Sequence, residues 1–415
     1  MSYNLLSPLR VIESAAFIAA PLAGLLLAQY GADVIRVDTI GGGIDYGRLP
    51  RMPQKNGLGR SFYWTALNKG KRSIAVDVRR PEGRELIQHL ATAPGPDSGV
   101  LLTNLGTPWL SHGVLAALRH DIITCTIQGN GDGSPAVDYT INSATGYPMV
   151  TGSGQQRPVN HVLPAWDVTC AHHAAFLVAA AVGQRQHARE GREICLALSD
   201  IAFSTLSHLG VLAETEVLKQ ERPSIDNYLY GAFGRDFLTL DGHRLMVVAI
   251  SAGQWANLVR ACSLEDQVAH IEKTTGLDLA DEAQRFTARE LIAQVLETWF
   301  AVRIRSDIEA LFKAERVLFG PYQTVMELLE NDPRVSLSNP VFERLETPGI
   351  GSHLSADAAA RISGLERSSS RPAPLLGTHT DEILHEVLGF SGAAIGKLHD
   401  AGIVAGPERD PTQTV

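Results

Sequence analysis

Apolar and polar positions along the first forty residues predict two strands and a helix. An apolar run predicts a strand over 9–13, a leucine- and alanine-rich stretch predicts a helix over 21–30, and a second apolar run predicts a strand over 32–38. Gly31 stands where a helix end is expected. This order of elements is a βαβ unit and implies a parallel sheet.

The same pattern analysis predicts most of the remaining elements. It predicts strands over 73–78, 99–103, 122–127 and 193–198, and helices over 81–90, 166–186 and 201–219. After a linker over 222–226, alternation on both sides of Asp241-Gly242 predicts a hairpin of strands 236–240 and 244–250. Helices are predicted over 254–262, 288–300, 306–315, 380–388 and 391–401. The segment 340–374 is predicted to be irregular, and the chain after Gly406 is predicted to be frayed.

Length and composition describe an ordinary globular protein. A chain of 415 residues is long for one core, so two domains are expected. The net charge of -9 argues against general nucleic-acid binding. Four scattered cysteines without a CxxC pair indicate reduced thiols in a cytoplasmic protein. The apolar segment 15–28 is interrupted by Pro21, and we expect neither an export signal nor a membrane span there.

The βαβ unit lacks the glycines of a dinucleotide site. Asp38 falls near the position of a ribose-binding acid, but the first turn, over 14–20, contains no GxGxxG. Without those glycines the backbone cannot approach a pyrophosphate closely. We therefore expect no NAD or FAD, despite the topology.

Basic residues are concentrated in one N-terminal stretch. Between positions 48 and 84 only Asp77 and Glu82 oppose ten cations: Arg48, Arg51, Lys55, Arg60, Lys69, Lys71, Arg72, Arg79, Arg80 and Arg84. In an acidic protein this contrast indicates either a local anionic ligand, such as a phosphorylated cofactor, or a solvated face. The pattern alone leaves both interpretations open.

Asp167 closes the run 160–167 and directly precedes a nearly uncharged, alanine-rich helix. The free N–H groups at the start of that helix should keep the carboxylate ionised. Asp is a common N-cap residue, which gives one interpretation. The other is a carboxylate nucleophile in a dry pocket.

Several blocks in order along the chain resemble the family III CoA-transferases. The segment 67–77 is similar to the N-x-G-K-R-S-I-x-x-D block of that family, and 31–35, 230–233 with 241–242, and 373–380 are similar to further blocks. The resemblance implies an α/β fold with a Rossmann-like large domain built from both chain ends, over 1–221 and 331–415, and a smaller inserted α/β domain over 222–330. It also implies an interlocked homodimer, an acyl-CoA substrate, no permanently bound cofactor, and Asp167 as the catalytic aspartate.

A narrower resemblance covers 160–167, 231–237 and 41–46. It is to those family members that move CoA between the two carboxyl groups of one mesaconate molecule, in the 3-hydroxypropionate cycle of carbon fixation. The implied mechanism passes through an aspartyl anhydride and an aspartyl-CoA thioester. Backbone N–H groups of the glycine-rich loop 129–133 are candidates for oxyanion stabilisation.

The resemblance also implies binding residues. The phosphates of CoA would account for the basic stretch, so Lys71 and Arg72, and more weakly Arg48, are expected to contact them. The remaining CoA contacts are expected at the start of the first helix and at a strand end, from Ile18, Ala19, Ala20, Asn104 and Leu105. In the family an R-P-G sequence usually follows the pair that corresponds to Asn104 and Leu105. Here Gly106-Thr107-Pro108 stands in its place. His161 and Arg235 are candidate ligands of the mesaconate carboxylates, with a structural histidine and an ion pair as the alternatives.

Four other functions compete with intramolecular transfer. An intermolecular transferase would use a free acid as acceptor. An acyl-CoA racemase of the same fold needs a histidine just before an aspartate, and Val137 occupies that position ahead of Asp138. The third is a catalytically silent CoA-binding protein, and a hydride-transfer enzyme is weaker still. We expect no metal site, because the adjacent His172 and His173 point to different faces of their helix.

Overall fold

The computed structural model describes residues 3–54, 57–152 and 157–413, so Lys55 of the basic stretch lies outside it. Contacts divide the chain into two compact units. The first, here the large unit, contains 1–145, 162–213 and 333–415, and the second, the small unit, contains 146–161 and 214–332. The domain boundaries expected at 221/222 and 330/331 stay a prediction.

The chain is a mixed α/β protein. Its strands are β1 Arg10–Ser14, β2 Asp33–Thr39, β3 Arg72–Val76, β4 Val100–Thr103, β5 Ile123–Gln128, β6 Arg192–Ala197, β7 Phe233–Leu238, β8 Arg244–Ala249, β9 Leu318–Pro321, β10 Phe342–Thr347, β11 Gly351–Ala356 and β12 Val404–Ala405. Its helices are α1 Ala19–Gln29, α2 Phe62–Asn68, α3 Pro81–Ala91, α4 His112–Leu118, α5 Asp138–Ala144, α6 Tyr147–Val150, α7 Ala165–Ala188, α8 Leu198–His208, α9 Val211–Leu218, α10 Ala252–Cys262, α11 Glu265–Thr275, α12 Glu282–Thr287, α13 Arg289–Phe300, α14 Arg305–Ala314, α15 Val325–Asn331, α16 Thr380–Leu388 and α17 Gly392–Asp400.

The large unit contains a seven-stranded sheet in the order β12-β3-β2-β1-β4-β5-β6, counted over the described residues. All neighbouring pairs are parallel except β12 with β3. Because β2 and β4 lie on opposite sides of β1, the chain reverses its direction of progress at β1. The crevice outside the carboxyl ends of β1 and β4 is therefore the place where such sheets bind ligands. The expected α/β fold with a large parallel sheet is confirmed.

Helices α1 and α7 pack against each other in the large unit. Most of α1 is buried, and it ends at Gly31, whose φ of +106° is accessible to glycine. A Cβ at Gly31 would also lie 2.8 Å from the backbone of Asn4. Helix α7 is long and apolar enough to cross a membrane by length and composition. Its packing against α1, α8 and β5 is that of a core helix.

The small unit has its own antiparallel sheet and core. The sheet order is β7-β8-β9, and β7 and β8 form the hairpin that was predicted around Asp241-Gly242. Helices α10 to α14 cover it, and the core is rich in aromatic side chains, including Phe233, Phe237 and Phe300. This unit is therefore stabilised independently by apolar burial.

Three predictions of local structure are wrong. The helix predicted over 201–219 is two helices, α8 and α9, separated at Gly210, whose φ is +76°. The segment 340–374 contains the hairpin β10–β11. Residues 407–413 are held in place rather than frayed, because the buried Asp410 accepts hydrogen bonds from the Tyr46 hydroxyl at 2.6 Å and the Leu376 N–H at 2.7 Å.

Candidate functional site

Asp167 lies in the first turn of α7, whose free N–H groups are capped from outside the helix. The Oδ2 atom of Asp138 accepts hydrogen bonds from the backbone N–H of Trp166 at 2.7 Å and of Asp167 at 3.1 Å. Pro164, not Asp167, occupies the N-cap position. The N-cap interpretation of Asp167 is therefore wrong. Asp138 caps the helix, so the Asp167 side chain is not needed for that role.

The carboxyl group of Asp167 has an unusual affinity for protons. The residue is half-buried, and burial together with the negative charge of Asp138 raises its pKa to about 7. The helix terminus keeps it ionised only in part at neutral pH, because loss of water and a neighbouring anion act in the opposite direction. A poorly solvated carboxylate with this pKa is a stronger nucleophile than an ordinary aspartate.

The turn that follows β1 is fixed by hydrogen bonds from two other loops. Asn104, at the end of β4, accepts from the Ala16 N–H at 2.9 Å and donates to the Ala16 carbonyl at 2.7 Å. The buried Asp45 accepts from the Phe17 N–H at 2.9 Å. Phe17 has a φ of 62°, which is rare for a non-glycine residue and needs such support. The two loops that meet at the reversal of the sheet are therefore joined rigidly.

Ile18, Ala19 and Ala20, the expected contacts of the thioester arm, follow this turn. Ala19 and Ala20 are buried, and Ile18 is half-buried. Ala19 and Ala20 begin α1. The CoA contacts expected from these residues stay a prediction, as do those of Asn104 and Leu105.

A cavity of about 500 Å³ opens at the carboxyl ends of β4 and β5. Its lining includes Asn104, Gly106, the loop around Gly129 and Gly133, and Val137. Gly129 is needed for close approach, since a Cβ there would lie 2.4 Å from the Ala136 N atom. The Asn130 and Gly133 N–H groups donate within the loop, so neither is free to bind an oxyanion.

Part of the basic stretch is buried in an ion-pair network. Arg36 donates to Glu13 at 2.9 Å, to Asp38 at 2.8 Å and to Asp45 at 3.3 Å. The Lys71 ammonium lies 2.7 Å from Glu13 Oε2, with both side chains fully buried. Burial lowers the pKa of Lys71 to about 8. The network holds Asp45, and through it the turn at Phe17.

Lys71 and Arg72 are therefore poorly placed for the phosphate contacts expected of them. Besides Glu13, Lys71 contacts the Asn68 amide and the Pro21 carbonyl. Arg72 donates to Asp33 at 2.6 Å and to Glu382 at 2.8 Å. A CoA phosphate could reach either cation only by breaking these pairs, so we leave both out of the CoA site proposed below.

Two residues near Asp167 were not singled out from the sequence. The Tyr63 phenol is held near enough to Asp167 for the carboxylate charge to raise its pKa further, although burial is the largest cause. Asp138 was used only as a marker against racemisation. Its capping role joins positions that are 29 residues apart, which no local pattern reveals.

The two candidate carboxylate ligands belong to the small unit. Arg235 lies 2.8 Å from Glu297 and donates to the Tyr228 hydroxyl at 3.1 Å, so its guanidinium is engaged within that unit. The ion-pair alternative therefore describes Arg235 in this structure. His161 is half-buried, and its Nδ1 has no partner among the residues that the structure describes.

Comparison with known proteins gives a consistent family assignment. The sequence profile of CoA-transferase family III matches residues 6–380. The 2-methylfumaryl-CoA isomerase of Chloroflexus aurantiacus is 46% identical over 98% of this chain and 99% of its own length. The human succinyl-CoA:glutarate CoA-transferase is 27% identical over 96% of this chain and 90% of its own length.

Solved structures resemble the fold over nearly the whole chain. A CaiB/BaiF family protein from Brucella suis superposes with a TM-score of 0.75 at 22% identity, covering 93% of this chain and 100% of its own. A hypothetical protein from Mycobacterium tuberculosis gives a TM-score of 0.73 at 19% identity, covering 92% and 99%. At these identities the likeness describes the fold alone.

Proposed function

The chain belongs to CoA-transferase family III, and we propose that it moves CoA between the two carboxyl groups of one mesaconate molecule, the isomerisation of 2-methylfumaryl-CoA. The observation that carries this proposal is Asp167, a half-buried carboxylate of raised pKa at the capped start of α7. The full-length similarity to a protein of that name supports the choice of acyl group.

In the first half of the proposed reaction, the Asp167 carboxylate attacks the thioester carbonyl. The carbon–sulfur bond breaks, CoA leaves as a thiolate, and a mixed anhydride of aspartate and mesaconate forms. The thiolate then attacks the aspartyl carbonyl of the anhydride and expels the mesaconate carboxylate. The products are an Asp167-CoA thioester and a mesaconate dianion.

In the second half, the other mesaconate carboxylate attacks the Asp167-CoA thioester and releases the thiolate again. A second anhydride forms, now through the other carboxyl group. The thiolate attacks its mesaconyl carbonyl, which regenerates the Asp167 carboxylate and leaves CoA on the other end of the molecule. The overall reaction exchanges one mesaconyl thioester for another of similar energy, and positioning supplies much of the acceleration.

The cavity at the ends of β4 and β5 is the proposed site of the CoA moiety. Asn104 lines it and also holds the turn at Ala16, so the cavity wall and the start of α1 are joined. Ile18, Ala19, Ala20 and Leu105 stay proposed neighbours of CoA, and His161 a proposed ligand of the acyl group. The proposed reaction requires no resident cofactor.

We also propose a homodimer in the cytoplasm. The outer face of α1 and α7 carries an apolar groove of about 420 Å³, lined by Leu26, His172 and Phe176 among others. Phe176 is 66% exposed, which is unusual for a phenylalanine on a core helix. A second copy of the chain covering this groove would remove that surface from water.

The alternative is intermolecular transfer to a free acid, which the name of the human relative describes for that protein. The two are separated by incubating the protein with mesaconyl-CoA esterified at C1 and no free acid. We expect the C4 ester to appear at a rate unaffected by a scavenger of free mesaconate. If no C4 ester forms until a free acid is added, the protein is an intermolecular transferase. Racemisation is disfavoured because Val137 cannot move a proton.

A further inference from the structure

The Arg48 guanidinium has no carboxylate partner among the described residues. Its guanidinium lies over the Phe17 ring, 5.6 Å from the centroid, and over the Tyr63 ring at 5.1 Å. Neither an ion pair nor a side-chain hydrogen bond involves it within 3–54, 57–152 and 157–413. Arg36 and Arg72, by contrast, are each paired with carboxylates. Two aromatic rings therefore hold the charge of the exposed Arg48 in place, while its N–H donors face solvent without a protein acceptor among the described residues.

The Tyr63 hydroxyl is a second unused donor. The atom is buried and has no hydrogen-bond partner among the described residues. Its helix, α2, is anchored by the buried Trp64 and capped by the Ser61 side chain, which accepts from the Trp64 N–H at 3.1 Å. Burial raises the pKa of Tyr63, so the phenol keeps its proton at neutral pH. An orphaned buried hydroxyl costs stability, which calls for a ligand.

The Tyr63 hydroxyl lies within the electrostatic reach of the Asp167 carboxylate, and the Arg48 guanidinium lies over the ring of the same tyrosine. The charges of Asp167 and Asp45 contribute to the raised pKa of Tyr63. Phe17, under the guanidinium, belongs to the turn that Asp45 and Asn104 hold at the sheet reversal. An acyl group that presents its carbonyl to Asp167 therefore comes near this cation and hydroxyl.

We propose that Arg48 and Tyr63 form the binding subsite for the free carboxylate of the acyl group. This rests on the proposed function and assigns the residues that recognise the second carboxylate of its substrate. A substrate with a free carboxylate would be repelled by the anionic Asp167 without a counter-charge. A guanidinium can bind that carboxylate through two parallel N–H donors, and the phenol adds a third.

The subsite also explains how mesaconate stays in place between the two half-reactions. When Asp167 carries CoA, the acyl group is a free dianion with no covalent bond to the protein. Arg48 would hold one carboxylate of that dianion, which leaves the other near the Asp167-CoA carbonyl. Intramolecular transfer requires such retention, because a released acid would exchange with other acids in solution.

The test measures binding rather than turnover, in the full chain with Asp167→Asn as background so that no ligand is consumed. Dissociation constants are measured for mesaconyl-CoA and for crotonyl-CoA, which lacks the second carboxylate. The variants are Arg48→Gln, Arg48→Lys and Tyr63→Phe. Arg79→Gln is the matched control, because the Arg79 side chain is 83% exposed and paired with Asp77. Melting temperatures establish that each variant is folded.

We expect Arg48→Gln to raise the dissociation constant of mesaconyl-CoA by roughly ten- to a hundredfold. The dissociation constant of crotonyl-CoA should change by no more than about twofold. Arg48→Lys should retain part of the preference for mesaconyl-CoA over crotonyl-CoA. Tyr63→Phe should lose less of this preference than Arg48→Gln does. Equal weakening of both ligands would make Arg48 a CoA phosphate contact and overturn the proposal, as would an unchanged preference. The outcome is independent of the proposed isomerisation, whose failure would appear only in the turnover of the unmodified chain.

Discussion

The Asp138 carboxylate accepts a hydrogen bond from the backbone N–H of Asp167 at 3.1 Å, so one buried acid fixes the position of another. The same oxygen accepts from the Trp166 N–H, while Oδ1 of Asp138 has no partner among the described residues. Asp138 therefore holds the start of α7 and places a negative charge beside the Asp167 side chain. The two effects can be separated by substitution.

Asp138→Asn should move the acid limb of the pH–rate profile to lower pH. The limb of the unmodified enzyme is expected near pH 7, since the attacking form is the carboxylate and its pKa is about 7. An amide keeps an acceptor oxygen for the helix cap but removes the charge, so the pKa of Asp167 should fall by roughly one unit. Tyr63 and Cys170, the other titratable groups that sense Asp167, keep their protons in this range.

The control for this prediction is Asp400→Asn, a change of the same charge at an exposed position on α17. It should leave the profile unmoved. An acid limb that stays near pH 7 in Asp138→Asn would show that Asp138 acts only as a cap. Asp138→Ala, which removes the cap as well, should lower kcat more strongly than the amide.

Asp167→Asn should abolish turnover and stabilise the protein. A carboxyl group whose pKa is raised by folding favours the folded state only when protonated, so stability falls as pH rises from about 4 to about 7. The amide removes that loss. We expect the Tm to rise by a few degrees at pH 8 and by less at pH 5, since ~1 kcal/mol corresponds to ~1–2 °C for a chain of 415 residues. A Tm gain of the same size at both pH values would contradict this account.

CoA binding should survive the loss of Asp167. Titration of Asp167→Asn and Asp167→Ala with CoA should give dissociation constants close to that of the unmodified chain, because the proposed CoA cavity lies at the ends of β4 and β5. Retained turnover in either variant would remove Asp167 from the mechanism.

The sequence was sufficient for the first βαβ unit, where short apolar stretches mark each of the three elements. Strands β1 and β2 and helix α1 were predicted to within about two residues of their bounds, because most of their consecutive residues are buried. The break at Gly210 was missed because the apolar pattern continues across it. Hairpin β10–β11 was missed because its charged faces obscure the alternation.

The site was less accessible to sequence reasoning, since its residues come from different loops. Asp167 was found through a family resemblance, and its pKa depends on Asp138, which lies on another helix. Lys71 was assigned to phosphate from a local excess of cations. A count along the chain cannot reveal that its partner, Glu13, comes from β1. Pairing across a parallel sheet is visible only after folding.

Asn104→Leu should weaken CoA binding by loosening the turn after β1. The substitution is close in volume but removes both hydrogen bonds to Ala16, leaving its N–H and carbonyl unpaired. We expect a severalfold higher dissociation constant for CoA and for mesaconyl-CoA alike. Asn104→Asp keeps the acceptor for the Ala16 N–H and should be intermediate. A lower Tm with unchanged CoA affinity would mean that the clamp serves stability alone.

Lys71→Met should destabilise the fold without changing phosphate recognition. Removing the ammonium leaves Glu13 Oε2 buried without its cation, and breaking such a pair costs about 3–5 kcal/mol. The Tm should fall by roughly five degrees. The ratio of affinities for CoA and 3′-dephospho-CoA should stay that of the unmodified chain. If Lys71 contacts the 3′-phosphate, this ratio collapses instead. Arg79→Gln, which breaks an exposed pair, should change neither quantity appreciably. Adding Glu13→Gln to Lys71→Met should recover part of the lost stability, because no uncompensated carboxylate then remains beside the empty position.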